Sequence, residues 1–252
     1  MMIERVRVSV CMATFNGALY LTEQIESILR QLQAGDELVV VDDASTDESA
    51  QIVASFGDAR IRLMVNEHNA GHVRTFERAL AAASGDVLML SDQDDVWAEG
   101  RVAYLLHELE GVGMVASNFD HVSLASGEPS ERRLKASSST VGDLVGLALG
   151  RRPYYGCTMV FTREFITLAL PFPPATQAHD HWLAILGIVS RSLRHAPEVT
   201  VHRRLHDGNL SPRTRRALGP VVHTRVRMAS HVFDAAVRLV VVASSRLRRE
   251  RT

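Results

Sequence analysis

Apolar and polar positions in the first half of the chain alternate between two periods. Val6, Val8 and Val10 alternate with Arg5, Arg7 and Ser9, the period-two signature of a strand running to about Ala13. Leu21, Ile25, Ile28, Leu29 and Leu32 then recur at helical spacing, and Gly35 ends that helix. The run from Glu37 to Val41 predicts a short buried strand, followed by a helix from about Asp47 with Ser45 or Thr46 as its N-cap. The alternation continues with a strand near 61–65, a helix near 73–83 stopped by Gly85, a buried strand over 86–90 and a helix over 101–110. Strands separated by helices of this length predict an α/β fold with a mostly parallel central sheet and right-handed crossovers. Ligands in such sheets collect at the carboxyl ends of the strands.

Beyond about Val115 the pattern is less regular. Residues 127–139 are polar and predict a mobile loop, and a strand resumes around Gly156 to Phe161. Pro171, Pro173 and Pro174 force an extended turn, after which a helix is expected over 178–190. Val222, Val226, Ala229, Phe233, Val237 and Val240 form an amphipathic helical stripe. A chain of 252 residues suits one large domain with a short appendage, which we divide as 1–212 and 213–252.

A net charge of −1 conceals an asymmetry. From Arg203 onward there are 12 Arg against Asp207, Asp234 and Glu250, so the body is acidic and the tail basic. Such a tail is expected to meet an anionic partner such as a membrane surface, or else to be a solvated helix face. No recognition motif supports nucleic acid as that partner. Cys11 and Cys157 lie far apart in apolar runs, which excludes a disulfide scaffold or zinc motif and fits a reducing cytoplasm. With no apolar stretch near the ~20 residues of a spanning helix, we expect a cytoplasmic protein, at most peripheral on the inner face of the membrane.

Candidate chemistry sits at three strand ends: Thr14-Phe15-Asn16, then Asp42-Asp43 through Asp47, then Ser91 to Asp95. Asp92, Asp94 and Asp95 within four residues repel one another unless a cation lies between them. Oxygen ligands of this kind suit Mg²⁺ or Mn²⁺, while the alternative is an acidic surface turn. An EF-hand fits less well, because Val96 and Trp97 fall where a ligand and the turn glycine are needed. Asp42 and Asp43 can accept hydrogen bonds from a base or ribose, or simply favour a helix N-terminus. There is no Walker A loop, and the one G-x-G-x-x-A match, Gly111 to Ala116, follows a helix and leads into a strand, the reverse of a dinucleotide loop.

The ordered set Thr14 to Gly17, Val41 to Asp47, Asn66 to Gly71 and Ser91 to Trp97 resembles glycosyltransferase family 2, which is inverting and has the GT-A fold. With Gly156 to Phe161, His179 to Trp182 and Arg204 to Asn209, the set resembles the bacterial rhamnosyltransferase-like branch that builds O-antigen and other surface polysaccharides. The resemblance implies that Thr14, Phe15, Asn16, Asp42, Asp43, Asn69, Asp92 and Gln93 bind the nucleotide donor. It implies a metal at Asp92, Asp94 and His206, with Asp94 favoured as the direct ligand, and Asp180 as the catalytic base. Trp97, Gly156, Cys157, His179, His181 and Trp182 fall at acceptor-binding positions, Trp182 being either a sugar platform or a core residue. His179 departs from the commoner acid before that Asp, and His181-Trp182 stands where the branch often has two tryptophans. The implied donor is a dTDP-, UDP- or GDP-linked sugar, with dTDP-L-rhamnose favoured, and the acceptor a glycan or lipid-linked glycan. A sugar nucleotidyltransferase, or a non-catalytic nucleotide-sugar-binding protein, is the alternative.

Overall fold

The computed structural model describes residues 5–122, 134, 139–204 and 218–249. The first half follows the expected alternation: β1 (Val8–Thr14), α1 (Ala18–Leu29), β2 (Glu37–Asp42), α2 (Ser49–Ser55), β3 (Ile61–Val65), α3 (His72–Ala82) and β4 (Val87–Ser91). Then come β5 (Val96–Trp97), α4 (Arg101–Glu108), β6 (Met114–Val122), α5 (Thr140–Ala148) and a 3-10 turn (Gly156–Thr158). The chain continues through β7 (Met159–Thr162), α6 (Arg163–Ala169), α7 (His179–Val189), β8 (Leu193–Arg204) and α8 (Leu218–Arg249). Except for Leu134 and Ser139, the expected loop at 127–139 lies outside the described residues.

The strands form one sheet in the order β3-β2-β1-β4-β7-β6-β8-β5. The block β3-β2-β1-β4 is parallel, as is β6 beside β8. By contrast, β7 runs against both β4 and β6, and β5 against β8, so the sheet is mixed. Both faces are covered. Cys11, Val39, Val41, Leu88 and Leu90 pack under α3, α6, α7 and α8, whereas Val10, Met12, Val40 and Met89 pack under α1 and α4. Burial on both sides explains why β1, β2 and β4 read as continuous apolar runs.

The register brings three polar strand ends to one rim. Thr14 lies opposite Asp42, and Met12 lies opposite Ser91. Asp43 latches that rim to the loop before α3. Its carboxylate accepts from the Asn66 amide (2.6 Å), Ala70 N–H (2.8 Å) and Gly71 N–H (2.9 Å). Burial pushes the Asp43 carboxyl up, but the bonds from Ala70, Asn66, Thr75 and Gly71 outweigh it and hold it below the usual range. The start of α2 also differs from expectation. Asp47 accepts from both the N–H and the hydroxyl of Ser49, so the helix opens at Ser49 and neither Ser45 nor Thr46 caps it. Ser45 accepts from Asn16 N–H instead (2.9 Å), tying β1 to β2.

Trp182 corrects the reading of a sugar platform. It has 0% exposure, its indole N–H donates to Ala169 carbonyl (3.1 Å), and the Arg238 guanidinium lies 5.0 Å over its ring. A ring with no accessible face cannot stack on a ligand. Arg238 also donates to the carbonyls of Leu168, Ala169 and Pro171, clamping α8 across the end of α6. With Met228, His231 and Ala235 buried, the inner face of α8 shares the core with α7.

Two changes test these assignments. Trp182→Ala is expected to lower stability by about 3–5 kcal/mol, as for other buried aromatic truncations, read as a shift in the urea midpoint. Asp43→Asn is expected to cost about 2 kcal/mol, the scale of hydrogen bonds to a charged group. Because the folded carboxyl is depressed, that stability is complete above the unfolded value of about 3.9 and fades as pH falls through the folded value. The gap between Asp43→Asn and wild type therefore closes in acid; a gap independent of pH would contradict the latch.

Candidate active site

Gln93 fastens the acidic loop to the end of β1. Its side-chain carbonyl accepts from Thr14 hydroxyl (2.7 Å) and Phe15 N–H (2.8 Å), and its amide donates to Phe15 carbonyl (3.1 Å). A Cβ at position 17 would lie 2.4 Å from that Gln93 oxygen, so the glycine there leaves room for Gln93 to make these bonds. Gln24 holds the other side, donating to Ser91 hydroxyl (2.6 Å) and Asp92 carbonyl (3.0 Å). The loop carrying Asp92 and Asp94 is thus set by bonds from β1 and α1.

Asp92 and Asp94 are half-buried, whereas Asp95 is buried. Oxygens of Asp92 and Asp95 and the sulfur of Cys157 lie within 4.8 Å of one another. Burial, then the neighbouring Asp94, raises the Asp92 carboxyl to about 6. Burial, then Asp92, raises Asp95 to about 8. Arg203 opposes both shifts; its Nε is 4.0 Å from Asp95 Oδ2, and its guanidinium stacks 4.2 Å over Tyr155 and 5.3 Å over Phe119. The Cys157 thiol is pushed up, chiefly by burial and then by Asp95 and Asp92, so it stays protonated.

Carboxylates whose charge is opposed by burial and by each other fit a divalent cation, which would reverse both effects. Asp92 and Asp94 suit it, being oxygen donors with access to solvent. Asp95 and Cys157 suit it less, because burial holds the proton on the inner carboxyl up to about 8 and the thiol keeps its own. Arg203 is the residue that sequence reasoning missed. It gave no signal, being one of several basic residues in a stretch without a strand pattern. Asp95 was among the three acids the sequence places at this strand end, and the structure separates it from the other two by burial.

Asp180 is half-buried in the first turn of α7, where the positive helix end favours its charge, and it accepts from His181 N–H (2.7 Å). It is close enough to Asp92 to raise that carboxyl, so the two share one field. His179 is buried, its ring 4.3 Å from Phe76, and burial lowers it to about 4, leaving it neutral. Neither ring nitrogen has a partner among the described residues. A Cβ at Gly156 would lie 2.6 Å from His179 Nε2, so glycine is what admits the ring.

The remaining expected residues divide by exposure. Phe15, Asn16 and Asn69 are exposed at the rim, and His181 is half-buried beside Asp180. Asp42 and Asp43 are buried; Asp42 accepts from Ser45 N–H (2.9 Å), and Asp43 is spent mainly on its latch. Trp97 is a correction: it is buried in the core against α4, with the Arg101 guanidinium 4.5 Å over its ring, and faces no acceptor. Gly156 and Cys157 are also buried, supporting His179 and Asp95 from beneath rather than meeting a ligand. His206 lies outside the described residues.

The geometry has clear relatives. Escherichia coli UDP-Glc:alpha-D-GlcNAc-diphosphoundecaprenol beta-1,3-glucosyltransferase WfgD is 36% identical over 95 residues, 38% of this chain and 38% of that protein. The chain matches only about a third to a half of the length of such curated relatives. Staphylococcus aureus TarS 1-349 in complex with UDP-GlcNAc superposes with a TM-score of 0.69 at 17% identity, covering 92% of this chain and 72% of that one. Mannosyltransferase PcManGT from Pyrobaculum calidifontis, in complex with GDP-Man and Mn²⁺, gives a TM-score of 0.60 at 20% identity, covering 96% and 76%. These structures share the GT-A fold. Residues 9–166 match the profile of Glycosyl transferase family 2, a segment that carries the strand-end rim and stops before Asp180. The chain belongs to Glycosyl transferase family 2.

Proposed function

We propose that the chain is an inverting, metal-dependent glycosyltransferase of bacterial surface polysaccharide synthesis. It moves a sugar from a nucleotide-diphosphate donor to a hydroxyl of a glycan or lipid-linked acceptor. The observation that carries this reading is the convergence of Asp180, on a helix N-terminus, with Asp92 and Asp94 at the end of an apolar strand. Family membership supports the transferase class, and the nucleotide-sugar complexes of TarS and PcManGT support a nucleoside diphosphate as leaving group.

Phe15, Asn16 and Asn69 line the exposed rim where a nucleoside would lie, with Gln93 keeping Phe15 in place. Asp92 and Asp94 would hold Mg²⁺ or Mn²⁺, which when bound neutralises negative charge on the departing diphosphate. Asp180 accepts the proton of the acceptor hydroxyl as that oxygen approaches the anomeric carbon opposite the leaving group. Neutral His179 is packed behind it against Phe76 and Gly156. The rhamnosyltransferase-like motifs favour dTDP-L-rhamnose among dTDP-, UDP- and GDP-linked donors. Among the described residues no helix is long and apolar enough to cross a membrane, and a peripheral position on the inner membrane face is part of the same reading.

Calorimetric titration with dTDP, UDP and GDP tests the donor site. One nucleotide is expected to bind with Mn²⁺ or Mg²⁺, to lose binding with EDTA, and to bind at least about tenfold more weakly to Asp94→Asn. No binding of any of the three to folded protein would remove the transferase reading. For the base, Asp180→Asn is expected to keep nucleotide affinity and lose about 10²–10⁴ in kcat, the range of general-base catalysis. Full turnover in that variant would exclude Asp180.

A further inference from the structure

Arg203 stands behind the acidic loop as a positive charge that the transfer step itself does not use. It lies near the carboxyl end of β8 and is 6% exposed, whereas Asp92 and Asp94 are half-buried. Aromatic rings, more than the acids, fix its position. The guanidinium lies 4.2 Å over the Tyr155 ring and 5.3 Å over that of Phe119, and the two rings meet edge to face at 4.9 Å. Its Nε is 4.0 Å from Asp95 Oδ2, beyond hydrogen-bond reach, and neither atom has a hydrogen-bond partner among the described residues. A buried guanidinium that stacks on rings and stops short of this carboxylate acts on the acids through its field.

That field reaches both acids, since Arg203 opposes the rise of the Asp92 and Asp95 carboxyls. Neighbouring cations are committed elsewhere. Arg101 donates to the Thr200 hydroxyl and the Cys157 carbonyl (2.7 Å), and Arg204, one residue on, pairs with Glu23. A divalent cation held by Asp92 and Asp94 would feel the same field with opposite sign. The carboxylates attract it and the fixed guanidinium repels it, and in a partly buried site neither force is screened as it is in water. A diphosphate shifts that balance, because its oxygens bring further ligands and negative charge to the same cation. The arrangement suits an ion held loosely by the empty protein and firmly only beside a diphosphate.

We propose that Arg203 is a positioning residue that keeps the metal exchangeable. Its charge holds the acidic loop together before the ion arrives, and weakens the site enough that the ion enters with the donor and leaves with the nucleoside diphosphate product. The inference rests on the transferase reading and adds the regulation of that site. It also gives the aromatic stack a purpose. A guanidinium bonded directly to Asp95 would move with the carboxylate, whereas one pinned by Tyr155 and Phe119 keeps its distance whether the site is filled or empty.

Calorimetric titration of the whole chain with Mn²⁺ alone tests this, at about pH 8 so that protonation of Asp92, near about 6, does not compete. Arg203→Met is expected to bind Mn²⁺ about tenfold more tightly than wild type, the scale of one charge removed from beside a divalent ion. Arg203→Lys keeps the charge without the flat stack, so its affinity should stay within about threefold of wild type. The double variant Arg203→Met/Asp95→Asn removes the inner carboxyl together with its counter-charge and serves where the single variant does not fold. It should bind Mn²⁺ at least as tightly as wild type. In turnover, Arg203→Met should lower both the Mn²⁺ needed for half-maximal rate and kcat, because the product complex holds its ion longer. Three results overturn the proposal: folded Arg203→Met with wild-type or weaker Mn²⁺ affinity, Arg203→Lys behaving as Arg203→Met, or loss of Mn²⁺ binding in the double variant. Titration of the same samples with dTDP, UDP and GDP in Mn²⁺ separates the two readings. Nucleotide binding with metal affinity unmoved by Arg203→Met removes only this inference. Wild type that binds none of the three removes the transferase reading beneath it.

Discussion

Charge compensation around Asp92 and Asp95 is the constraint on which the rest of the molecule depends. Two carboxylates at the end of a buried strand would oppose folding without positive charge within reach, because each loses hydration and repels the other. The counter-charge comes from the far half of the chain. Arg203 on β8 sits against Asp95 between the rings of Tyr155 and Phe119, and Arg101 on α4 donates to Cys157 carbonyl (2.7 Å) and to Thr200 hydroxyl. The parallel half of the sheet therefore supplies the acids, and the mixed half the bases. Neither half is complete as an electrostatic object, which explains why β5, β8 and the 3-10 turn close around the same point.

Much of the first half was legible because its cues are local. The apolar runs of β1, β2 and β4 have the length of buried strands, and the polar residues that end them fall on one rim by register alone. Where reading failed, the deciding interaction was distant in sequence. Residues 193–204 contain Arg194, Pro197, Glu198, His202, Arg203 and Arg204, a poor strand by composition, yet pairing with β6 makes them β8. Trp97 and Trp182 stand next to motif residues, which suggested ligand contact. Their burial is set by α4 for one and by α6 and α8 for the other. The helix after β2 opens at Ser49 because the Asp47 carboxylate binds both Ser49 and Ala18 N–H, a choice made partly by α1.

The second half adds elements whose two faces do different things. In α8, Arg238 and the buried Met228, His231 and Ala235 bind the helix to α6 and α7, while the valines and Phe233 opposite them have no cover among the described residues. The sequence stripe at Val222 to Val240 could not separate the two, since arginine supplies as much packing here as any apolar residue. Folding thus uses one side of the helix and leaves the other as surface.

The empty space at Gly156 carries a consequence for how this sequence can drift. The imidazole of His179 fills the volume that any side chain at 156 would need, and 156 adjoins Cys157, which touches the acidic cluster. Position 156 therefore cannot enlarge unless the ring at 179 moves, and a smaller residue at 179 would leave a void against Phe76 and Gly156. The two positions, 23 residues apart in sequence, are free to vary only as a pair. Homologous chains with an acid at the second position would be under no such bond, and their residue at the first is where the difference should be visible.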